Sequence, residues 1–473
     1  MLFNSTEFVV FILVFYNFYL HLQKSRKGQN ALLLVGSYIF YGWWDWRFLS
    51  LLALSTVIDY TIGRKMEASE EDGRRKRLML VSVFSNLSIL GFFKYFNFFV
   101  DSFVEMANRV GWHVDSITLG IILPVGISFY TFQTLSYSID IYRGKLKATD
   151  SLLDFAVFVS FFPQLVAGPI ERASNFLPQI SKPRVLSAAQ VEAGLFLVMW
   201  GAFKKIVIAD NMALVANEIF NHHESFYGLD LVLAALAFTV QIYCDFSGYS
   251  DMARGLAKIM GFELMVNFKL PYFSRSPSEF WQRWHISLSS WLRDYLYISL
   301  GGNRSGTWMT YRNLSLTMLL GGLWHGAAWN FVIWGAYQGG ILVLYRVFEP
   351  KSRQLVFEKA PLEWTRKFAA WALMFVFTVI GWIIFRAESA SQIFYFLTEM
   401  GFATSGKTSG FAHKLIFFST PLIVIQLIQY FRHDLLAPLR MPWPMKALFV
   451  GVLGCAICML GVRESIEFIY FQF

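Results

Sequence analysis

The sequence predicts an all-α polytopic membrane protein, and two features of its composition carry that prediction. Of its 473 residues, 56% are hydrophobic, 18% are aromatic and only 15% are charged, whereas roughly 25% are charged in soluble domains. Apolar runs of about 16–22 residues recur along the whole chain, as membrane-spanning helices require. The runs predict about 10–12 spans, which form a single integral-membrane domain over residues 1–473.

The net charge of +9 predicts an orientation in the membrane and not a nucleic-acid partner. The cations lie in short loops beside apolar runs, among them Lys24, Arg26 and Lys27 after the first run and the basic stretch at 64–77. Such loops stay on the cytoplasmic side of a membrane. The N-terminus and the C-terminal tail are therefore predicted on the outer side of the membrane.

The order of the apolar runs divides the chain into three parts. Residues 1–150 form N-terminal spans, residues 151–348 form the core with the motifs discussed below, and residues 349–473 form C-terminal spans and a tail. Pro124 and Gly126 predict a kink in the run at 119–141. The Pro- and Gly-rich stretch at 158–180 predicts a re-entrant or interfacial segment buried within protein. The three cysteines fit neither a zinc site nor a disulfide framework, and no metal site is expected.

Two histidines, His285 and His325, each follow a tryptophan within this apolar chain. An ionisable side chain at bilayer depth is costly, and this makes both of them candidate functional residues. His325 lies between Gly322 and Gly326, which would let another backbone or a ligand approach closely. A neutral imidazole there suits a general base that acts on a hydroxyl. The alternative is a structural histidine that is hydrogen-bonded to a neighbouring helix.

His285 is predicted to share one helical face with Trp281, Leu288 and Leu292, from their spacing. On that face it would position a substrate or orient His325. The alternative is a histidine within an interfacial belt of aromatic residues. Contact between the two histidines cannot be deduced from the sequence.

Further polar residues of the core are candidates for binding. Asp245 and Asp251 lie within an apolar run and are predicted to line a cavity, as are Trp324 and Asn330 beside His325. The basic residues of the segment at 271–304 would bind the phosphates of a nucleotide-type donor; they are Arg275, Arg283, Arg293 and Arg304. Binding to anionic lipid is the alternative for each of these arginines.

Four stretches of the sequence resemble the membrane-bound O-acyltransferase family, and within it the bacterial alginate O-acetylase branch. They read FFPQLVAGPI, QIYCDFSGYSDMARGLAKIMGF, PYFSRSPSEFWQRWHISLSSWLRDYLYISLGGNR and LLGGLWHGAAWNFVIWG. The resemblance implies a ring of transmembrane helices around a central funnel, with His325 as the essential histidine and His285 as the second motif residue. It also implies acetyl-CoA as a cytoplasmic donor substrate with no bound cofactor, and periplasmic SGNH-type acetyltransferases as partners that complete transfer to a polysaccharide.

The C-terminal sequence FIYFQF contains a single hydroxyl, that of Tyr470. Terminal aromatic residues usually anchor a chain at the membrane interface. The family resemblance adds a second interpretation, in which the phenol of Tyr470 accepts the acyl group near His325 and passes it outward.

The leading hypothesis is thus an O-acetyltransferase that serves alginate or a similar exopolysaccharide. The membrane subunit of a peptidoglycan O-acetyltransferase is the alternative with the same motifs. From a different class, a transporter would use the histidines as a proton relay, and a scaffold would only hold a periplasmic acetyltransferase.

Overall fold

The computed structural model describes residues 1–115, 118–354, 360–462 and 467–469. Those residues form helices and loops, and no β-strand occurs among them. The helices pack as two compact units, whose boundaries fall inside two long helices. Unit 1 comprises Met1–Leu195 and Met252–Met265, and unit 2 comprises Phe196–Asp251 and Val266–Phe473. The prediction of an all-helical membrane protein is confirmed, while the division at residues 150 and 348 stays a prediction.

Unit 1 is built mainly from the first third of the chain. Its helices are α1 (Thr6–His21), α2 (Arg26–Asp45), α3 (Leu49–Glu67), α4 (Asp72–Leu90), α5 (Phe96–Arg109), α6 (Ile127–Tyr142), α7 (Leu152–Ser160), α8 (Phe162–Leu165) and α9 (Ala173–Ile180). Hydroxyl caps begin three of them: Ser5 accepts a hydrogen bond from the backbone of Phe8, Ser25 accepts one from Gly28 and Ser151 accepts one from Asp154. Such caps satisfy backbone groups that a helix end leaves without a partner.

Unit 2 contains the candidate site. The two boundary helices are α10 (Ala188–Ala202) and α12 (Leu229–Ile259), and a π-helical turn at Phe203–Ala209 leads into α11 (Asp210–Asn221). The later helices are α13 (Pro277–Arg283), α14 (Ile286–Trp291), α15 (Thr307–His325), α16 (Trp329–Gln354), α17 (Ala360–Arg386), α18 (Ala390–Glu399), α19 (Thr408–Arg432) and α20 (Trp443–Leu460).

Six helical stretches of the described residues are long and apolar enough to cross a membrane. They are Asp72–Arg109, Leu229–Ile259, Trp329–Glu349, Pro361–Arg386, Thr408–Arg432 and Trp443–Leu460. Other predicted spans correspond to shorter or more polar helices, such as α1. The chain is therefore a multi-pass membrane protein, while the larger number of spans and the ring with its funnel stay predictions.

The predicted kink at Pro124 and Gly126 is wrong. Residues 118–126 are not helical, and α6 begins immediately after Gly126. Gly126 has a φ of 77°, and a Cβ at this position would meet the carbonyl oxygen of Leu165. The run at 119–141 is thus an extended segment followed by a helix, because a left-handed residue at this close approach ends one conformation and starts the next.

The predicted interruption of the segment at 158–180 is confirmed. Three short helices, α7 to α9, replace a continuous helix, and the breaks fall beside Phe161 and around Gly168 and Pro169. Residues from Phe155 to Ile170 are buried, as predicted. Surrounding protein makes a non-helical backbone tolerable within a membrane protein, while the re-entrant or interfacial placement of this segment stays a prediction.

Candidate active site

His285 lies at a sharp break between α13 and α14. Its φ is 42°, which is uncommon for a residue with a Cβ. The helical face that was predicted for Trp281, His285, Leu288 and Leu292 is therefore wrong, because no single helix connects them. A left-handed backbone at a side chain of this size costs on the order of 1–3 kcal/mol and is retained only where its surroundings enforce it.

Hydrogen bonds to Asn267 hold His285 in this left-handed conformation. The backbone oxygen of Asn267 accepts a hydrogen bond from the N–H of Ile286 at 2.9 Å. Its side-chain oxygen accepts three more, from the backbone and the hydroxyl of Ser287 at 3.1 and 2.9 Å and from Nδ1 of His285 at 3.1 Å. Asn267 is 1% exposed and His285 is 0% exposed, so water does not compete for these bonds.

The same contacts identify the tautomer of His285. A backbone N–H can only donate, so the Asn267 atom that faces Ser287 is the amide oxygen and not the nitrogen. Nδ1 of His285 contacts that same oxygen and must therefore carry the proton. The neutral ring then has its lone pair on Nε2, which is the form that accepts a proton.

Aromatic rings surround the imidazole of His285. The ring of Phe246, on α12, meets it edge-on with centroids 4.6 Å apart, and the indole of Trp324 lies at 6.0 Å. The segment at 271–304 lies outside the six candidate spans. Burial lowers the pKa of His285 well below its usual range, and the nearby imidazole of His325 lowers this pKa further. His285 is therefore neutral at physiological pH.

His325 is the last residue of α15, where the helix turns into α16. Its ring contacts Trp324, Trp334 and Phe385, with centroid distances of 5.1, 5.1 and 5.4 Å. The tight turn depends on glycine: a Cβ on Gly322 would overlap the carbonyl oxygen of Phe331, and one on Gly326 would overlap the ring of Phe331. The close approach expected at the two glycines is thus made by the following helix.

Trp324 contacts both histidines, and it is the link between them that the sequence does not reveal. Its indole lies 5.1 Å from the ring of His325 and 6.0 Å from that of His285. Asn330 is the other predicted residue nearby, and its amide donates to the carbonyl oxygen of Phe385 at 3.2 Å. The structure therefore gathers His285, His325 and Trp324 in one buried aromatic cluster, which we call the histidine cluster.

The two predicted cavity-lining aspartates each form an ion pair with a lysine, and that of Asp245 is fully buried. Lys205 contacts Asp245 at 2.8 Å and Asp210 at 2.7 Å, and these three side chains are at most 6% exposed. Lys204 contacts Asp251 at 2.7 Å and the hydroxyl of Ser247 at 3.0 Å. Pairing makes buried charges tolerable in an apolar helix bundle. The cavity that these aspartates were expected to line stays a prediction.

Three of the four candidate donor-binding arginines have side-chain partners within the protein. Arg275 donates to the hydroxyl of Tyr430 at 2.9 Å. Arg283 pairs with Glu279 at 2.7 Å, and Arg293 pairs with Asp294 at 2.7 Å. Arg304 follows a loop in which Gly301 and Gly302 have positive φ values. Their role in donor binding stays a prediction.

The C-terminal tail enters the protein just before the candidate relay residue. Glu467 is exposed, whereas Phe468 and Ile469 are 1% and 2% exposed. The ring of Phe468 packs on Tyr249 and Phe246 at 5.0 and 6.0 Å. The backbone N–H of Ile469 donates to Oδ2 of Asp245 at 2.7 Å. Tyr470 itself lies outside the described residues.

Several of these residues were missed from the sequence. Asn267 and Ser287 read as ordinary polar residues in loops, and Phe246 reads as one more apolar residue of α12. Lys205 and Asp210 are charged residues in an apolar context, and the same criterion selected Asp245 as a candidate. What the sequence lacks is any indication of which lysine pairs with which aspartate.

Comparison with known proteins identifies the family of the chain. The family model described as MBOAT, membrane-bound O-acyltransferase family, matches residues 38–385. The chain is 47% identical over 391 residues to a protein named probable alginate O-acetylase AlgI from Pseudomonas aeruginosa, with 82% of this chain and 72% of that protein covered. It is 35% identical over 430 residues to a peptidoglycan O-acetyltransferase from Helicobacter pylori, which covers 85% of this chain and 80% of that protein.

A third relative transfers a different acyl group. It is a teichoic acid D-alanyltransferase from Bacillus subtilis, 29% identical over 280 residues, with 56% of this chain and 69% of that protein covered. The helical membrane fold and the match to the family model define an enzyme that transfers acyl groups. The chain belongs to the membrane-bound O-acyltransferase family.

Proposed function

We propose that this acyltransferase takes an acetyl group from cytoplasmic acetyl-CoA and moves it across the inner membrane for O-acetylation of a polysaccharide outside, alginate or a similar exopolysaccharide. The observation that carries the proposal is the histidine cluster: two buried imidazoles on one indole, in a chain 47% identical to an alginate O-acetylase. A periplasmic SGNH-type acetyltransferase would complete the transfer. Both termini would lie on the periplasmic side.

In the proposed mechanism, His325 is the general base and His285 supports it. His325 removes the proton from an acceptor hydroxyl, and the oxygen attacks the thioester carbonyl of the donor. The C–S bond breaks, the acetyl group is bound to the acceptor oxygen, and the imidazolium returns its proton to the leaving thiolate. The phenol of Tyr470 is the proposed acceptor, because the tail is docked through Ile469, one residue before it.

Purified protein in lipid nanodiscs, supplied with radiolabelled acetyl-CoA and an acceptor, tests the chemistry. His325→Ala should abolish transfer, whereas His413→Ala, an exposed histidine on α19, should retain the normal rate. Polymer acetylation by His325→Ala at normal expression would instead indicate a scaffold. Tyr470→Phe keeps the aromatic ring but not the hydroxyl, so undiminished transfer in this variant would overturn the relay.

A second acceptor, peptidoglycan, is favoured by the 35% identity to a peptidoglycan O-acetyltransferase. The higher identity to alginate O-acetylases supports the exopolysaccharide as the first candidate. Measuring ester-linked acetate in both polymers, from wild-type cells and from cells that carry His325→Ala, distinguishes the two acceptors. Loss of acetate from peptidoglycan alone would replace the first proposal by the second.

A further inference from the structure

The buried ion-pair group of Lys205, Asp210 and Asp245 contacts the C-terminal tail as well as the neighbouring helices. Oδ1 of Asp245 contacts the ammonium of Lys205 at 2.8 Å, while Oδ2 accepts the backbone N–H of Ile469 at 2.7 Å. The lysine lies in the π-helical turn and also contacts Asp210, which begins α11. One carboxylate therefore connects three helical elements to the C-terminal tail.

The ammonium of Lys205 explains how Asp245 can be buried and still accept a hydrogen bond from the tail. Two carboxyl groups share one ammonium, so Lys205 holds both of them in the interior. A carboxylate oxygen in such a group is a strong acceptor, and hydrogen bonds to ionised acceptors are shorter and stronger than neutral ones. The peptide N–H of residue 469 satisfies this oxygen.

The bond to Asp245 comes from the backbone of the tail, and this sets the position of the tail along α12. The N–H of residue 469 meets the carboxylate, and a slip of one residue would move the next side chain by about 3.3 Å. The ring of Phe468 adds an apolar anchor on Tyr249 and Phe246. Phe246, the neighbour of Asp245, touches His285 on its other side.

We propose that Asp245, held by Lys205 and Asp210, is a positioning residue that fixes the register of the C-terminal tail beside the histidine cluster. The proposal rests on the proposed function in one respect: the reactive group it positions is the hydroxyl of Tyr470, the next residue in the chain. Docking of the tail itself is independent of that role.

Hydrogen exchange of the C-terminal peptide, followed by mass spectrometry on the full-length protein, measures docking directly. Asp245→Ala should accelerate exchange by roughly tenfold or more, since a hydrogen bond to a charged group is lost. Asp251→Ala is the matched control, because Asp251 is also a lysine-paired aspartate on α12. Its tail should exchange within about twofold of the wild-type rate. Wild-type protection in Asp245→Ala would overturn the proposal.

A second pair of variants tests docking of the tail without removing a buried charge. It decides whether the tail is docked if Asp245→Ala fails to fold. Ile469→Pro removes the N–H donor, whereas Ile469→Ala keeps it. Proline should accelerate exchange of the remaining tail amides by roughly tenfold relative to alanine. Equal exchange in the two variants would overturn the proposal.

Steady-state kinetics test whether docking of the tail also positions it for acetyl transfer. Ile469→Pro should lower kcat for acetyl transfer by roughly tenfold or more while KM for acetyl-CoA stays the same, because the donor site is unchanged. An unchanged kcat would overturn the positioning role. If Tyr470→Phe transfers acetyl groups normally, the relay fails, whereas the exchange measurements still decide whether Asp245 docks the tail.

Discussion

The side-chain oxygen of Asn267 accepts a hydrogen bond from Nδ1 of His285 at 3.1 Å, and the backbone N–H of Ser287 identifies that atom as the oxygen. The contact assigns the ring proton of His285 to Nδ1 and the lone pair to Nε2. It also explains how a left-handed histidine is maintained between two short helices. A residue eighteen positions earlier in the chain thus controls both the shape and the protonation of the site.

Replacing Asn267 by aspartate should change the pH dependence of acetyl transfer. A carboxylate beside the ring favours the imidazolium and raises the pKa of His285 from its depressed value. Below the raised pKa the lone pair on Nε2 is lost, so kcat should fall as the pH decreases. Profiles of kcat for the wild type and Asn267→Asp between pH ~5.5 and ~8.5 should differ mainly at the acidic end.

Asn267→Leu is the companion variant, because it removes the acceptor without adding charge. It should lower kcat by roughly 10- to 100-fold across the whole pH range through loss of orientation. Superimposable profiles for all three proteins would show that the proton position on His285 does not matter for the reaction.

Gly322→Ala should destabilise the turn that carries His325. The added Cβ would overlap the carbonyl oxygen of Phe331 and approach the backbone of Gly335, and neither can move aside by a change of rotamer. Overpacking of this kind costs about 1–3 kcal/mol or more. We expect a lower Tm in detergent together with reduced activity.

Gly340→Ala is the control for that experiment. Gly340 lies on α16, the helix that packs against Gly322, and a Cβ there meets nothing within 4 Å. Its Tm should equal or slightly exceed that of the wild type, because alanine is the better helix former. Equal Tm values for the two alanine variants would show that the α15–α16 turn is not tightly packed.

The fold could be predicted from the sequence wherever a run of residues is long and apolar enough to form a membrane-spanning helix. The runs that became α12, α17, α19 and α20 are long and apolar, and any packing arrangement leaves them helical. The broken segment at 158–180 was also predictable from local sequence, since its prolines and glycines exclude a straight helix.

The site was predictable in its chemistry but not in its geometry. Histidines in an apolar chain are conspicuous, and both proved to lie in one cluster. The break at His285 has no local signal, because neither glycine nor proline marks it and the strain is held by Asn267. The pairing of Lys205 with Asp245 joins residues forty positions apart, and no periodicity connects them. Tertiary contacts determine both the backbone conformation of His285 and the pairing of Lys205 with Asp245.

Lys205→Met should be among the most destabilising single substitutions in unit 2. It leaves Asp210 and Asp245 as buried carboxylates without their shared ammonium. Removing one partner of a buried ion pair costs about 3–5 kcal/mol. The fraction of protein that elutes as a folded monodisperse peak in detergent should fall sharply, and adding Asp210→Asn to the variant should recover part of it.

Arg47→Met is the comparison for the lysine variant. Arg47 pairs with Asp45, and its side chain is 59% exposed. Exposed pairs contribute about 0–1 kcal/mol, so the elution profile should match that of the wild type. A similar loss in both variants would mean that burial does not distinguish the two ion pairs.

Asp59→Ala should weaken the packing of α3, α4 and α6 in unit 1. The carboxylate of Asp59 is 0% exposed and accepts hydrogen bonds from Ser82, from Asn86 at 2.8 Å and from Ser138 at 3.0 Å. Hydrogen bonds between membrane helices average about 0.6 kcal/mol each, so the loss is on the order of 2 kcal/mol. Asp150→Ala serves as the control because the Asp150 side chain is 86% exposed. Thermal unfolding in detergent should give a lower Tm for Asp59→Ala alone, and equal Tm values would show that the network does not hold the three helices together.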